Sequence, residues 1–254
     1  MSHESVLPWM LSVALLAVRL AVALALTPPL ASFGTPAVVR MSFVTALAAL
    51  TFSQRPPADL ATTASANPAA LPAAIATEIF IGALLGLGVQ LLFAALALAG
   101  RLMDVQVGIA LGSIFDPVSR TQSNVLGTLT SLVGAVVFFI SDAHLQLARF
   151  IAQSLDLFPL GVAPTLDDPM QPLLAAGSMF SFGFALAAPV VMALLLTDAA
   201  IGVASRNMPQ INVLVLAMPI KVLVGYFVLA LAVVGWGPLL QRGFNCLAPL
   251  SGAC

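Results

Sequence analysis

Apolar residues in this chain come in long runs, and the polar residues gather in the gaps between them. The first run extends from about Val6 to Leu26, is interrupted only by Arg19, and stops at Thr27-Pro28-Pro29. A second begins after Pro36 and ends near Phe52. Ser53 to Pro72 is rich in Pro, Ala and Thr and reads as a loop. The third run, Ala73 to about Ala99, contains Glu78 and Gly82, Gly86 and Gly88. Of these, Gly82 and Gly86 form a small-xxx-small face that lets a neighbouring helix approach closely. A fourth run covers about Val125 to Ile140, and a fifth, moderately amphipathic, ends at Phe158-Pro159. The loop Leu160 to Pro172 is rich in proline. A sixth run, Leu173 to about Leu196, is expected to break at Pro189; the seventh, about Val213 to Leu240, carries Pro219 and Lys221. Several runs approach or exceed the ~20 apolar residues that cross a bilayer core, although not all need to span lipid.

One stretch fits neither helix nor loop. Val105 to Gly127 mixes Gly108, Gly112, Asp116, Pro117, Arg120, Gln122 and Asn124 with the apolar Ile109, Leu111, Ile114 and Phe115. It is too broken for a regular span and too apolar for an ordinary loop. Irregular backbone is not tolerated against lipid, so this stretch is expected to be buried in protein or to line a cavity. A structural loop between two helices satisfies that requirement, and so does a plug that closes a constriction by dewetting.

Composition agrees with a membrane location. Of 254 residues 61% are apolar and only 7% charged, against about 25% charged in soluble domains, and the mean hydropathy is +1.09. The expected fold class is therefore all-α and polytopic, with no soluble domain of useful size. The net charge of −1 provides no basic field for nucleic acid. Met1-Ser2-His3-Glu4 lacks the positive n-region of a cleaved signal peptide, so the first run reads as a retained helix. Cys246 and Cys254 either pair in an oxidising compartment or stay as two terminal thiols, and without nearby histidines they make no zinc site.

Ionisable residues within or beside the apolar runs are Glu78, Asp104, Asp198, Arg206 and Lys221. Each costs about 2.5–3.5 kcal/mol on insertion scales and needs a partner. They can pair within the chain, pair with other subunits, or carry ions or protons; near-equal numbers of carboxylates and bases favour pairing. No HExxH, GxSxG, Walker or GxGxxG sequence is present. Asp167-Asp168 reads as a solvated loop pair, and Asp104 with Asp198 would serve an intramembrane aspartyl protease only if they faced one another. No catalytic residue, metal site or cofactor is expected.

Three segments together resemble a known family. They are Glu78-Ile79-Phe80-Ile81-Gly82-Ala83-Leu84-Leu85-Gly86; Ala99-Gly100-Arg101-Leu102-Met103-Asp104-Val105-Gln106-Val107-Gly108, leading to Phe115-Asp116-Pro117; and Arg206-Asn207-Met208-Pro209-Gln210-Ile211-Asn212-Val213, followed by Pro219-Ile220-Lys221. In this order and spacing they are similar to the FliR/SctT (FliR/SpaR/YscT) family of type III secretion export-gate proteins, from the first helix to about Leu240. Gln106-Val107-Gly108 with Phe115-Asp116-Pro117 and Gln122-Ser123 looks most like the flagellar branch, whose members often carry an acidic residue where Arg101 stands.

The resemblance implies helical hairpins packed into a hetero-oligomeric export gate of the bacterial inner membrane, within the flagellar basal body. Partners would be FliP-like, FliQ-like and FlhB-like subunits and unfolded secreted substrates. It also implies a single membrane domain over 1–254, FliP-like in packing to about residue 125 and FliQ-like beyond. The plug would run from Gly108 to about Gln122, through Ile109, Leu111, Gly112, Ile114, Phe115, Asp116 and Pro117. Assembly pairing would fall to Glu78, Asp104, Asp198, Arg206, Pro209, Gln210, Asn212 and Lys221. The competing readings are a virulence-type export subunit, a small-solute transporter coupled through Glu78, Asp104, Asp198 and Lys221, and a structural scaffold. Transporters often repeat their helix breaks in both halves, and here Pro189 and Pro219 both lie in the second.

Overall fold

The structure, a computed structural model, describes residues 3–31, 36–54, 71–108, 124–162, 170–207 and 213–246. Eight helices are present among them: α1 (His3–Ala25), α2 (Pro28–Ala31), α3 (Ala37–Gln54), α4 (Leu71–Val107), α5 (Val125–Ile140), α6 (Ala143–Leu157), α7 (Met170–Asn207) and α8 (Val213–Cys246). The chain is thus an all-α, polytopic membrane protein. Leu71–Val107, Gly177–Arg206 and Ala217–Gly243 are each long and apolar enough to cross a bilayer, and α5 with α6 forms a broken pair that qualifies as a fourth span.

The helix boundaries follow local chemistry. Thr27 ends α1, its Oγ1 donating to the Ala23 carbonyl (2.9 Å). Its own carbonyl then accepts from Leu30 and Ala31 to start the single turn of α2. Prolines there lose little, because N–H groups in a first helical turn have no intrahelical acceptor. Asp142 separates α5 from α6 in the left-handed region, φ 54°, a conformation that Asp tolerates better than most side chains.

Two helices outrun the expectation. α4 continues past Ala99 to Val107, and α7 runs through Pro189 and past Leu196 to Asn207. The expected break at Pro189 does not occur, nor does a break at Pro219 or Pro238 of α8. Within membrane helices neighbouring groups can satisfy the carbonyl that a proline strands. At 37 and 38 residues, α4 and α7 are each roughly 55 Å long at 1.5 Å per residue, well beyond the ~30 Å hydrocarbon core.

The chain forms two compact units, each discontinuous in sequence. The first contains α1, α2, α3, α4 up to Gln90, and α6 with the turn after it. Here α1 packs on α3, whose Val44 and Ala48, one turn apart, are buried while Val38, Val39, Met41 and Phe43 are exposed. Gly82 and Gly86 lie where α4 meets α1: an added Cβ would come within 2.5 Å of the Arg19 carbonyl oxygen and 2.8 Å of that of Ala23. The small-residue face therefore serves backbone approach, the main source of close packing between helices in lipid.

The second unit holds α4 from Leu91 onward, α5, α7 and α8. Here α7 pairs with α8, and α8 with α5. α4 crosses α5 at Gly100 and Gly127, where a Cβ on Gly100 would run into the Gly127 backbone. Thr130 Oγ1 seals the crossing by donating to the Leu96 carbonyl (3.0 Å), and Phe93 meets Phe138 edge-on at 6.2 Å.

Candidate functional site

Three polar clusters stand out in these apolar units. In the first unit Arg19 and Glu78 are fully buried and paired, Arg19 Nε donating to Glu78 Oε2 at 2.6 Å. Arg19 Nη2 reaches Glu78 Oε1 (3.2 Å) and the Phe158 carbonyl (3.0 Å), and Nη1 donates to Ser154 Oγ (3.0 Å). Glu78 Oε1 also accepts the Gly161 N–H (2.8 Å), which a left-handed Gly161, φ 73°, presents to it. One ion pair thus ties α1, α4, α6 and the turn after α6 together. The planar guanidinium suits this work, since its fork of donors can serve carboxylate, hydroxyl and carbonyl at once.

In the second unit Asp104 is 3% exposed and, among the described residues, hydrogen-bonded to backbone rather than to a cation. Its Oδ1 and Oδ2 accept the N–H groups of Leu126 (3.0 Å) and Gly127 (3.2 Å). These are orphan donors of the first turn of α5, and Asn124, the residue before that turn, supplies no side-chain cap. A carboxylate there also answers the positive end of the helix dipole. Asp104 belongs to α4, so it caps a helix across the chain, and it stands close to both ends of the segment between Gly108 and Asn124.

The third cluster joins α4, α7 and α8. Lys221 Nζ contacts Asp198 Oδ1 (2.8 Å) and Oδ2 (3.0 Å), and Gln106 Nε2 donates to Asp198 Oδ2 (3.3 Å). The Lys221 side chain is 17% exposed and that of Asp198 41%. Asp104 and Asp198 therefore serve separate partners and form no carboxylate dyad.

The remaining sequence candidates divide. Arg206 is exposed in the last turn of α7. Gly108 is left-handed, φ 93°, directly after α4. Ile109, Leu111, Gly112, Ile114, Phe115, Asp116, Pro117, Pro209, Gln210 and Asn212 lie outside the described residues, as do Asp167, Asp168 and Cys254. Among the described residues no group of three or more His, Cys, Asp or Glu side chains could hold a metal. Sequence reasoning passed over Arg19, Ser154 and Gln106. Arg19 had a legible signal, a lone arginine mid-way along the first apolar run; Ser154 and Gln106 had none.

Residues 10–247 match the family described as bacterial export proteins, family 1. The chain is 33% identical over 155 residues to the flagellar biosynthetic protein FliR of Pectobacterium carotovorum subsp. carotovorum, covering 61% of this chain and 59% of that protein. To the FliR of Escherichia coli (strain K12) it is 29% identical over 178 residues, 68% of each. To the secretion system apparatus protein SsaT of Salmonella typhimurium it is 27% identical over 146 residues, 57% of this chain and 56% of that protein. The aligned part is thus less than two thirds of the Pectobacterium and Salmonella relatives. Because the family match takes in all but the two ends of the sequence, and its relatives include both flagellar and virulence proteins, the chain belongs to family 1 of the bacterial export proteins, the FliR/SctT family.

Proposed function

We propose that this chain is a non-enzymatic pore subunit of the flagellar type III export gate, passing unfolded flagellar proteins across the bacterial inner membrane within the basal body. The observation that carries the reading is the match to bacterial export proteins over residues 10–247, joined to helices that reach well beyond a bilayer core. In this reading the chain assembles with FliP-like and FliQ-like subunits, with an FlhB-like subunit at the entrance, and energy is supplied elsewhere. Residues up to about 125 take the FliP-like place and the remainder the FliQ-like place. The α7–α8 pair, two long helices joined by a short link, supports the second assignment.

The plug is assigned to Gly108 and the residues up to about Gln122. What supports it is the framing of that segment, which leaves α4 through a left-handed glycine and re-enters at a helix start capped by Asp104. Deleting Gly108 to Phe115 should leave the complex assembled while the cells leak small ions. Unchanged conductance in a correctly assembled mutant would count against gating by this segment. Purification of the chain alone as a monomer with solute uptake would instead point to a transporter. The SsaT match keeps a virulence-type role as the second reading. Deleting the chain from its own cell separates the two: export of flagellar proteins is lost in the first case, export of virulence proteins in the second.

A further inference from the structure

The exposed face of the chain changes character at Ser141-Asp142. Along α5 the exposed residues are apolar at helical spacing, Val125, Leu129, Leu132, Val136 and Ile140. Along α6 they are Asp142, Leu145, Arg149, Gln153 and Asp156. Among the described residues α6 is the helix that exposes charged side chains through its middle turns; the exposed stripes of α3, α7 and α8 are mainly apolar.

The opposite face of α6 settles what the polar stripe meets. Ala143, Leu147, Ile151 and Ser154 are buried in protein, with Ser154 Oγ held by Arg19. A helix lying in the lipid interface turns its apolar face toward the acyl chains, and α6 has already committed that face to the protein core. Lipid against the other side would leave Arg149 and Asp156 in hydrocarbon, where ionised groups are strongly disfavoured. Anionic headgroups call for a cluster of basic residues, whereas this face carries one arginine and two aspartates. Water is the medium that suits it.

We infer that the Asp142–Asp156 face of α6 is a water-bearing wall of the path taken by exported chains, its partner an unfolded polypeptide in transit. The inference rests on the export reading. A face that mixes both signs with an amide sets up no strong field of one sign and has little apolar surface to hold a passing segment, as a wall must if many sequences are to slide by.

The test uses the assembled complex with Cys246→Ser and Cys254→Ser, adding single cysteines at Gln153 or Arg149 on α6 and at Leu132 on α5. Co-purification of the partner subunits establishes that each variant is folded. A charged, membrane-impermeant thiol reagent should label the α6 cysteines and spare Leu132→Cys. An exported protein fused to a tightly folded domain, stalled in the complex, should slow labelling on α6 several-fold. Labelling that the stalled chain leaves unchanged would put α6 on an outer aqueous surface and overturn the inference. Labelling seen only after denaturation would mean that another chain covers the stripe, with the same result. If no stalled chain co-purifies at all, the export reading itself fails and takes the inference with it.

Discussion

Arg19 sits in the middle of an apolar helix, yet its three guanidinium nitrogens all find acceptors in Glu78, Ser154 and Phe158. Removing one partner would strand the other charge in a dry interior, which costs about 3–5 kcal/mol. Arg19→Met is therefore expected to lower the thermal midpoint of the purified complex substantially, and Glu78→Gln to do so less, because a neutral amide still offers an acceptor. Arg19→Lys should fall between wild type and Arg19→Met: the charge survives, but a single ammonium cannot span carboxylate, hydroxyl and carbonyl together. A thermal scan in detergent ranks the three variants, and equal midpoints for Arg19→Lys and Arg19→Met would argue that only the fork of donors matters.

At the scale of elements, the helices are placed by backbone contacts and caps more than by bulky side chains. Asp104 supplies the first turn of α5 with a cap from another helix. Asp104→Ala should cost about 0.5–2 kcal/mol, as other cap losses do. Hydrogen exchange at Leu126 and Gly127 reads this directly: both amides should exchange faster in the variant, with the middle of α5 less affected. Glycines offer a paired comparison. A Cβ at Gly82 would press on the α1 backbone, whereas one at Gly202 meets nothing within 4 Å. Gly82→Ala should reduce complex yield, while Gly202→Ala should be neutral or stabilise by about 0.5–1 kcal/mol through helix propensity. Equal effects at the two sites would remove the case for close α1–α4 packing.

For the whole molecule the question is which charges serve the fold and which the assembly. Lys221 and Asp198 satisfy each other across α7 and α8, while Arg206 is exposed at the end of α7. Lys221→Asp should lower complex yield by placing two carboxylates together, and the exchanged pair Asp198→Lys with Lys221→Asp should restore much of it. Reversal at Arg206 should also lower yield, but no second change within Asp198 or Lys221 should rescue it. Quantifying co-purified partner subunits measures all four variants, and rescue of the Arg206 reversal by the exchanged pair would collapse the distinction.

Much of this was legible in the linear chain. The scarcity of charge required a membrane environment, the apolar runs located the helices, and the Glu78, Asp104 and Arg206 segments pointed to the family. Single-residue polarity and run length are local properties, so residue order alone determines them. Tertiary structure decided the rest. Whether α4 would continue through Gly100 depended on a partner backbone at Gly127, and a proline break in α7 depended on its neighbours. Asp104 could have met a cation, but it met the amides of a helix that begins some twenty residues later. Arg19 found Glu78 and Ser154 across 59 and 135 residues. Which charge meets which donor is set by the crossing of helices, and no local pattern carries that information.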